Sequence, residues 1–241
     1  MGPMRTVTAV AHRGDPYRVR ENTLPSIRSA LERGADAVEI DVRLTRDGVP
    51  VLLHDDTLDR LWGHERPLSS LVYEDVRELT RSGVPTLRAA LTAAGAHRVM
   101  IDLPGATEAA VRAVVATVRE CGAGDRVYYC AGAAAMLKVR AADPAAEIAL
   151  TWTTLAPPRP ELIAAVKPRW LNYRFGLMSH ELAARIHRDG MLVSVWTADT
   201  KRTMRRLLGH GVDAVTTNRL DALSAVLAEA DRPPPSAPPV P

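Results

Sequence analysis

Residues 7–55 read VTAVAHRGDPYRVRENTLPSIRSALERGADAVEIDVRLTRDGVPVLLHD. Polar groups recur along this stretch: His12-Arg13-Gly14, Glu21-Asn22-Thr23, Glu39-Ile40-Asp41 and His54-Asp55. They fall at the ends of short apolar runs. Strand ends are where an α/β protein gathers polar groups into one site. Between the first two apolar runs lies a helix signal. Thr23 stands as its cap, Pro25 lies in the first turn, Leu24, Ile27 and Leu31 share one face, and Gly34 closes it.

The same unit of strand, polar loop, amphipathic helix and glycine continues down the chain. Strands are expected over residues 7–11, 37–42, 99–103, 127–130, 148–152, 170–173, 192–197 and 214–217. The clearest later helices are expected over 108–119, 180–188 and 201–208. Gly34-Ala-Asp-Ala-Val38 is echoed by Gly211-Val-Asp-Ala-Val215, as a reused helix–Gly–strand joint requires. Eight strands in parallel alternation close into a barrel and lose their exposed edges. The 241 residues suit that size. The expected fold is therefore α/β, a (β/α)8 TIM barrel in one domain over residues 1–231. A Pro-rich, unpacked tail is expected over 232–241, and residues 1–6 are expected to be mobile.

One run, residues 51–54, is left over. It follows Arg46-Asp47-Gly48, and Asp-Gly between alternating residues signals a hairpin. A small hairpin arm after strand two is the result. With Asp47 and Gly48 as a two-residue loop, Arg46 pairs with Val49 and Asp41 faces His54. Glu39 lies on the same side, two residues away. A slip of one residue sends His54 to the other face.

Apolar residues make up 46% and aromatics only 4%, so the core is built from Val, Leu, Ile and Ala. The net charge of +3 is scattered and mostly arginine, which argues against nucleic acid as a partner. Cys121 and Cys130 form no metal-type spacing and read as free thiols. No apolar run reaches a membrane span, and no signal-like segment opens the chain, so a cytoplasmic location is expected. The oligomeric state is not readable. No Gly-rich nucleotide loop, Gly-x-Ser-x-Gly elbow or His-Glu-x-x-His helix is present.

Glu39 and Asp41 repel each other unless a cation lies between them, and a hard divalent ion with oxygen ligands answers that need. Asp102 is a candidate third ligand from the next barrel strand. The competing reading is a set of surface acids paired with arginines. His12 and His54, at neighbouring strand ends, suit acid–base chemistry near neutrality. Arg13 either binds phosphate through its planar fork or pairs with Glu21 or Asp15. Asn22 is either a cap companion or a ligand or ordering group. Asp55 bonds backbone or orients a histidine. Trp196 is an apolar wall for substrate or a core filler. His64, His97, His180, His187 and His210 read as solvated.

Taken together, His12-Arg13-Gly14, Glu21-Asn22-Thr23, Glu39-x-Asp41, Asp47-Gly48 and His54-Asp55 resemble the glycerophosphodiester phosphodiesterase family. Pro85-Thr86-Leu87 and Val195-Trp196-Thr197 add to the likeness, which runs over about residues 7 to 228. The resemblance implies a (β/α)8 barrel that takes Mg²⁺, or alternatively Ca²⁺. It implies Glu39, Asp41 and an acid of the third strand as ligands, His12 and His54 as the acid–base pair, and Arg13 on phosphate. It implies hydrolysis of glycerophosphodiesters, small-molecule substrates, to glycerol phosphate and an alcohol.

Three departures stand out. The family's Glu-x-Lys on strand three is Asp102-Leu103-Pro104 here, which removes a lysine; Arg174, just past its strand, is a candidate replacement. The late Thr-Asp-x-Pro pattern is Thr217-Asn218-Arg219-Leu220, and Asp199 stands where Asn is common. Two alternative functions follow from the resemblance. One is lysophospholipase D or sphingomyelinase D-like cleavage, with Leu61, Trp62, Trp152 and Leu155 as candidate lining for an acyl chain. The other is a barrel that binds phosphorylated ligands without hydrolysing them.

Overall fold

The structure is a computed structural model, and it describes residues 7–230. The expectations for residues 1–6 and for the tail over 232–241 lie outside the described residues. Eleven strands are described: β1 (Thr8–His12), β2 (Ala37–Leu44), β3 (Pro50–Leu52), β4 (Thr57–Leu58), β5 (His64–Pro67), β6 (Arg98–Asp102), β7 (Val127–Ala131), β8 (Glu147–Trp152), β9 (Trp170–Arg174), β10 (Leu192–Trp196) and β11 (Ala214–Thr217). The helices are α1 (Leu24–Glu32), α2 (Asp59–Trp62), α3 (Tyr73–Leu79), α4 (Leu87–Ala94), α5 (Glu108–Glu120), α6 (Ala133–Ala142), α7 (Pro160–Val166), α8 (His180–Arg188), α9 (Lys201–His210) and α10 (Leu220–Ala230).

Strands β1, β2 and β6 to β11 pair in parallel, in chain order, and β11 pairs back onto β1. The sheet is thus a closed eight-stranded barrel with helices between strands, the expected architecture. Val10, Ala37, Met100, Tyr128, Ala149, Trp170, Leu192 and Ala214, one from each barrel strand, pack together inside it. A larger apolar layer joins the outward faces of the strands to the helices. Side chains alternate along a strand. Two residues beyond this inner layer the same face therefore carries His12, Glu39, Asp102, Cys130, Thr151, Asn172 and Thr216, and Asp41 lies two beyond Glu39.

The joint that repeats in sequence is one physical device. Gly34 and Gly211 both adopt left-handed backbone, with φ of 86° and 81°. Two residues later an aspartate accepts from a neighbouring strand: Asp36 from the Ala9 N–H at 2.7 Å, Asp213 from the Val193 N–H at 2.8 Å. Each registers a helix exit against the barrel. Asp213 also lies 2.7 Å from His187 Nε2, so His187 is half-buried and partnered rather than solvated.

The hairpin arm is present but its register differs from the expected one. Leu44 pairs with Pro50 and Val42 with Leu52. The loop holds three residues, because Thr45 Oγ1 accepts from the Val49 N–H at 3.0 Å and donates to Asp47 at 2.6 Å. Pairing therefore slips by one, and strand β3 ends at Leu52. His54 follows in a bend, freed from strand alternation. Arg43 Nε, on β2, donates to the His54 carbonyl at 2.8 Å and holds that bend. The segment from the bend to Val84 packs on its own apolar cluster, centred on Leu53, Leu58, Leu68, Leu71 and Val76.

After β1 the chain turns sharply. Arg13 and Gly14 both have positive φ, 57° and 88°. A Cβ on Gly14 would lie 2.6 Å from the Ser26 carbonyl carbon in α1. Gly14→Ala is therefore expected to cost on the order of 3 kcal/mol. In thermal unfolding that corresponds to a Tm lower by roughly 6–12 °C, whereas an unchanged Tm would show that the turn and α1 separate freely.

Candidate active site

His12, Arg13, Glu39, Asp41, His54, Asp102 and Trp196 line one cavity of ≈ 700 Å³ at the carboxyl ends of the barrel strands. The register brings the acids there: His12 pairs with Glu39 across β1 and β2, and Asp41 with Asp102 across β2 and β6. One oxygen or more from each of Glu39, Asp41 and Asp102 lies within 4.8 Å of the others. Glu39 and Asp41 are buried, at 4% and 1% exposure. They are not surface acids.

Each carboxylate has one oxygen engaged by protein. Glu39 Oε2 accepts from the Arg13 N–H at 2.9 Å. Asp41 Oδ2 accepts from Asn22 Nδ2 at 2.7 Å and pairs with Arg13 Nε at 3.1 Å. Asp102 Oδ1 accepts from the Leu103 N–H at 2.9 Å. Among the described residues, Glu39 Oε1, Asp41 Oδ1 and Asp102 Oδ2 accept no protein hydrogen bond. Three hard oxygen donors, each held from behind, fit a divalent cation.

Asn22 is an ordering group. Its Oδ1 also accepts from the Asp41 N–H, at 3.2 Å, so its amide clamps Asp41 at two points. Its left-handed backbone, φ 54°, aims it there. Arg13 makes the ion pair weighed above, with Glu21 at 2.9 Å, as well as that with Asp41. Its Nη2 has no protein partner among the described residues, and the side chain lines the cavity.

The two histidines are supported differently. His12 Nδ1 lies 2.8 Å from Asn218 Oδ1. Asn218 donates its Nδ2 and its backbone N–H to Asp199, both at 2.8 Å. A carboxylate that accepts from Nδ2 leaves Oδ1 toward His12, so Nδ1 carries the proton and Nε2 the lone pair in the neutral ring. Burial, with the adjacent Arg13 charge, lowers the His12 pKa below its ordinary value. His54 Nδ1 lies 2.7 Å from Asp55 Oδ1. Asp55 then binds Arg60 at 2.6 Å, and Arg60 binds Glu21 at 2.6 Å. One polar chain thus runs from His54 through Asp55, Arg60 and Glu21 to Arg13.

Arg174 is not brought into the cavity. It ends β9 exposed, its guanidinium carbon 5.9 Å from the centre of the Trp196 ring. Trp196 does line the cavity. None of Leu61, Trp62, Trp152 and Leu155 does, so the lining weighed for an acyl chain is absent from it. Sequence reasoning missed Arg60, which lies in α2, and Lys138, which lines the cavity from α6. Asn218 and Asp199 were visible only as departures from a family pattern. Cys121 and Cys130 are free thiols, and burial raises the Cys130 pKa at the cavity floor.

A (β/α)8 barrel with a carboxylate triad and two histidines around one mouth cavity is the class that fold and site define. Residues 12–222 match the model of the Glycerophosphoryl diester phosphodiesterase family. A Mycobacterium tuberculosis protein named probable glycerophosphodiester phosphodiesterase 2 is 33% identical over 239 residues, which take in 91% of this chain and 90% of that protein. Rat glycerophosphodiester phosphodiesterase 1 is 39% identical over 126 residues, 46% of this chain; the match spans only 38% of the rat protein. A solved phosphodiesterase of Oleispira antarctica, in complex with the product sn-glycerol-3-phosphate, superposes with a TM-score of 0.82 at 23% identity, covering 92% of this chain and 96% of that one. The Thermotoga maritima glycerophosphodiester phosphodiesterase superposes at 0.80 with 21% identity, over 91% and 98%. The chain belongs to the glycerophosphoryl diester phosphodiesterase family. No described helix is long and apolar enough to cross a membrane.

Crowding of the acids sets a pH test. Burial, then the Asp41 charge, pushes the Asp102 pKa from 3.8 up to about 7. Burial and the two neighbouring carboxylates also raise Glu39 well above its ordinary value. Between about pH 4 and 7 the folded, metal-free protein then binds more protons than the unfolded chain, and stability falls as pH rises. Asp102→Asn removes one ionising group. In chelator, its Tm is expected to gain on the parent progressively from pH 5 to pH 8. A difference independent of pH would mean that Asp102 is not electrostatically burdened.

Proposed function

We propose that the chain is a metal-dependent hydrolase that cleaves glycerophosphodiesters to glycerol phosphate and an alcohol. The observation that carries this reading is the convergence of two buried carboxylates, a half-buried third, Arg13 and two imidazoles on one cavity, in a chain of that family. The product seen in the Oleispira antarctica phosphodiesterase supports the substrate class.

Glu39, Asp41 and Asp102 hold the cation. Three protein ligands leave places for water, which suits Mg²⁺ better than the more fully coordinated Ca²⁺. When bound, the cation offsets charge on the non-bridging phosphate oxygens. Arg13 donates from Nη2 to the same phosphate, and Trp196 gives the substrate an apolar wall.

His12 acts as base. With Nδ1–H donated to Asn218, the Nε2 lone pair accepts the proton of the substrate's neighbouring hydroxyl as that oxygen attacks phosphorus. His54 acts as acid. Its Nε2–H passes to the leaving oxygen, while Asp55 offsets the charge of the protonated ring. A cyclic phosphate and the free alcohol result. Water then opens the cycle with the two roles exchanged.

Removal of either imidazole is expected to lower kcat toward a glycerophosphodiester by about 10²–10⁴, in both His12→Ala and His54→Ala. Chelation is expected to abolish turnover, and Mg²⁺ to restore it. Phosphorus NMR during turnover checks the route through a transient cyclic phosphate. Near-parental turnover by His12→Ala would sink the assignment of the base. Ligand binding without any turnover would favour the non-hydrolytic barrel instead.

A further inference from the structure

The cavity extends beyond the cluster described above. From Asp102 its wall follows Leu103, Pro104, Gly105 and Ala106, faces the first turn of α6, and takes in Lys138. Small side chains keep this end open. Lys138 is half-buried, and its Nζ donates to the Ala106 carbonyl at 3.0 Å, which fixes the ammonium four residues beyond Asp102. An ammonium has three donors, so two remain.

Charge accounting singles this residue out. The acids that line the cavity are Glu39, Asp41 and Asp102, all in the cluster. Arg13 is tied to Asp41 and Glu21. Lys138 has no carboxylate partner among the described residues. The one acid lining a second hollow of ≈ 400 Å³ between α5 and α6, which Lys138 also lines, is Glu108, and it pairs with Arg112 at 3.2 Å. A half-buried cation beside a reaction cavity, with spare donors and no counter-charge, favours an anionic ligand group.

We propose that Lys138 is a specificity residue that binds a second anionic group carried by the alcohol half of the substrate. The inference rests on the hydrolase reading above. A glycerol unit has no ionisable group, so the group that Lys138 meets belongs to the alcohol. The fitting substrates are diesters whose alcohol bears a carboxylate or a further phosphodiester. A quaternary ammonium is disfavoured at the same place by like charge.

The test compares bis(glycerophospho)glycerol, glycerophosphoserine and glycerophosphocholine as substrates at low ionic strength. The parent is expected to favour the second phosphodiester, the carboxylate, or both over choline by about tenfold in kcat/KM, the size of one partly screened charge pair. Lys138→Met collapses that ratio through KM, Lys138→Arg keeps it, and Lys138→Glu reverses it toward choline. The anion that loses its advantage in Lys138→Met identifies the class. A parental ratio near one overturns the proposal. So does an equal loss on all substrates in Lys138→Met, which would leave Lys138 only a tether for the Ala106 loop. If the parent hydrolyses none of the three, the hydrolase reading fails separately, and calorimetry with Mg²⁺ decides the ligand question. Tighter binding of bis(glycerophospho)glycerol than of glycerophosphocholine, lost in Lys138→Met, supports the site; equal binding ends it.

Discussion

Mutual repulsion among Glu39, Asp41 and Asp102 is the constraint around which the rest of the site is arranged. Three carboxylates within 4.8 Å of one another are unfavourable in a poorly solvated place. The fold holds them with directional donors. Two backbone N–H groups, from Arg13 and Leu103, take one oxygen each of Glu39 and Asp102. Asn22 grips Asp41 at both ends of its amide. That grip requires Arg13 and Asn22 in left-handed backbone, a strain of about 1 kcal/mol each for non-glycine residues. What remains is a ring of outward oxygens whose repulsion a proton or a cation relieves.

Alternation around a closed sheet explains why so many strands contribute. A barrel strand has one inward face, and positions two apart share it. Deep in the barrel that face is apolar, with Tyr128 and Trp170 stacked 6.3 Å apart. One layer higher every strand carries a polar or thiol side chain, which on β10 is the buried Ser194, with Trp196 two residues beyond it. The acids occupy β2 and β6, whereas Thr151, Asn172 and Thr216 come from β8, β9 and β11. Acid cluster and neutral polar wall are thus opposite arcs of one ring.

Much of this was legible in the sequence because it rests on period and punctuation. Strands, helix caps and the Gly-x-Asp joints are local signals, and the barrel follows from their count. The acids and histidines were legible because each ends an apolar run. The hairpin register was not, since Asp47-Gly48 is compatible with two loop lengths and the Thr45 side chain decides between them. Arg174 failed as an inward group because the last residue of a strand is free to lean on the neighbouring Trp196 ring. Lys138 had no local mark at all. Its partner lies 32 residues away, in the preceding strand–helix unit.

His54 does not ride on the barrel itself. It stands in a bend held by Arg43, and beyond that bend lies a patch with its own apolar nucleus under Leu53, Leu58 and Leu71. Sub-global opening in proteins often follows supersecondary units with a nucleus of this kind. The two imidazoles therefore answer to different reservoirs of stability. One ends a strand of the closed ring; the other is seated on an outlying patch, so the two imidazoles face one cavity only while patch and barrel stay docked.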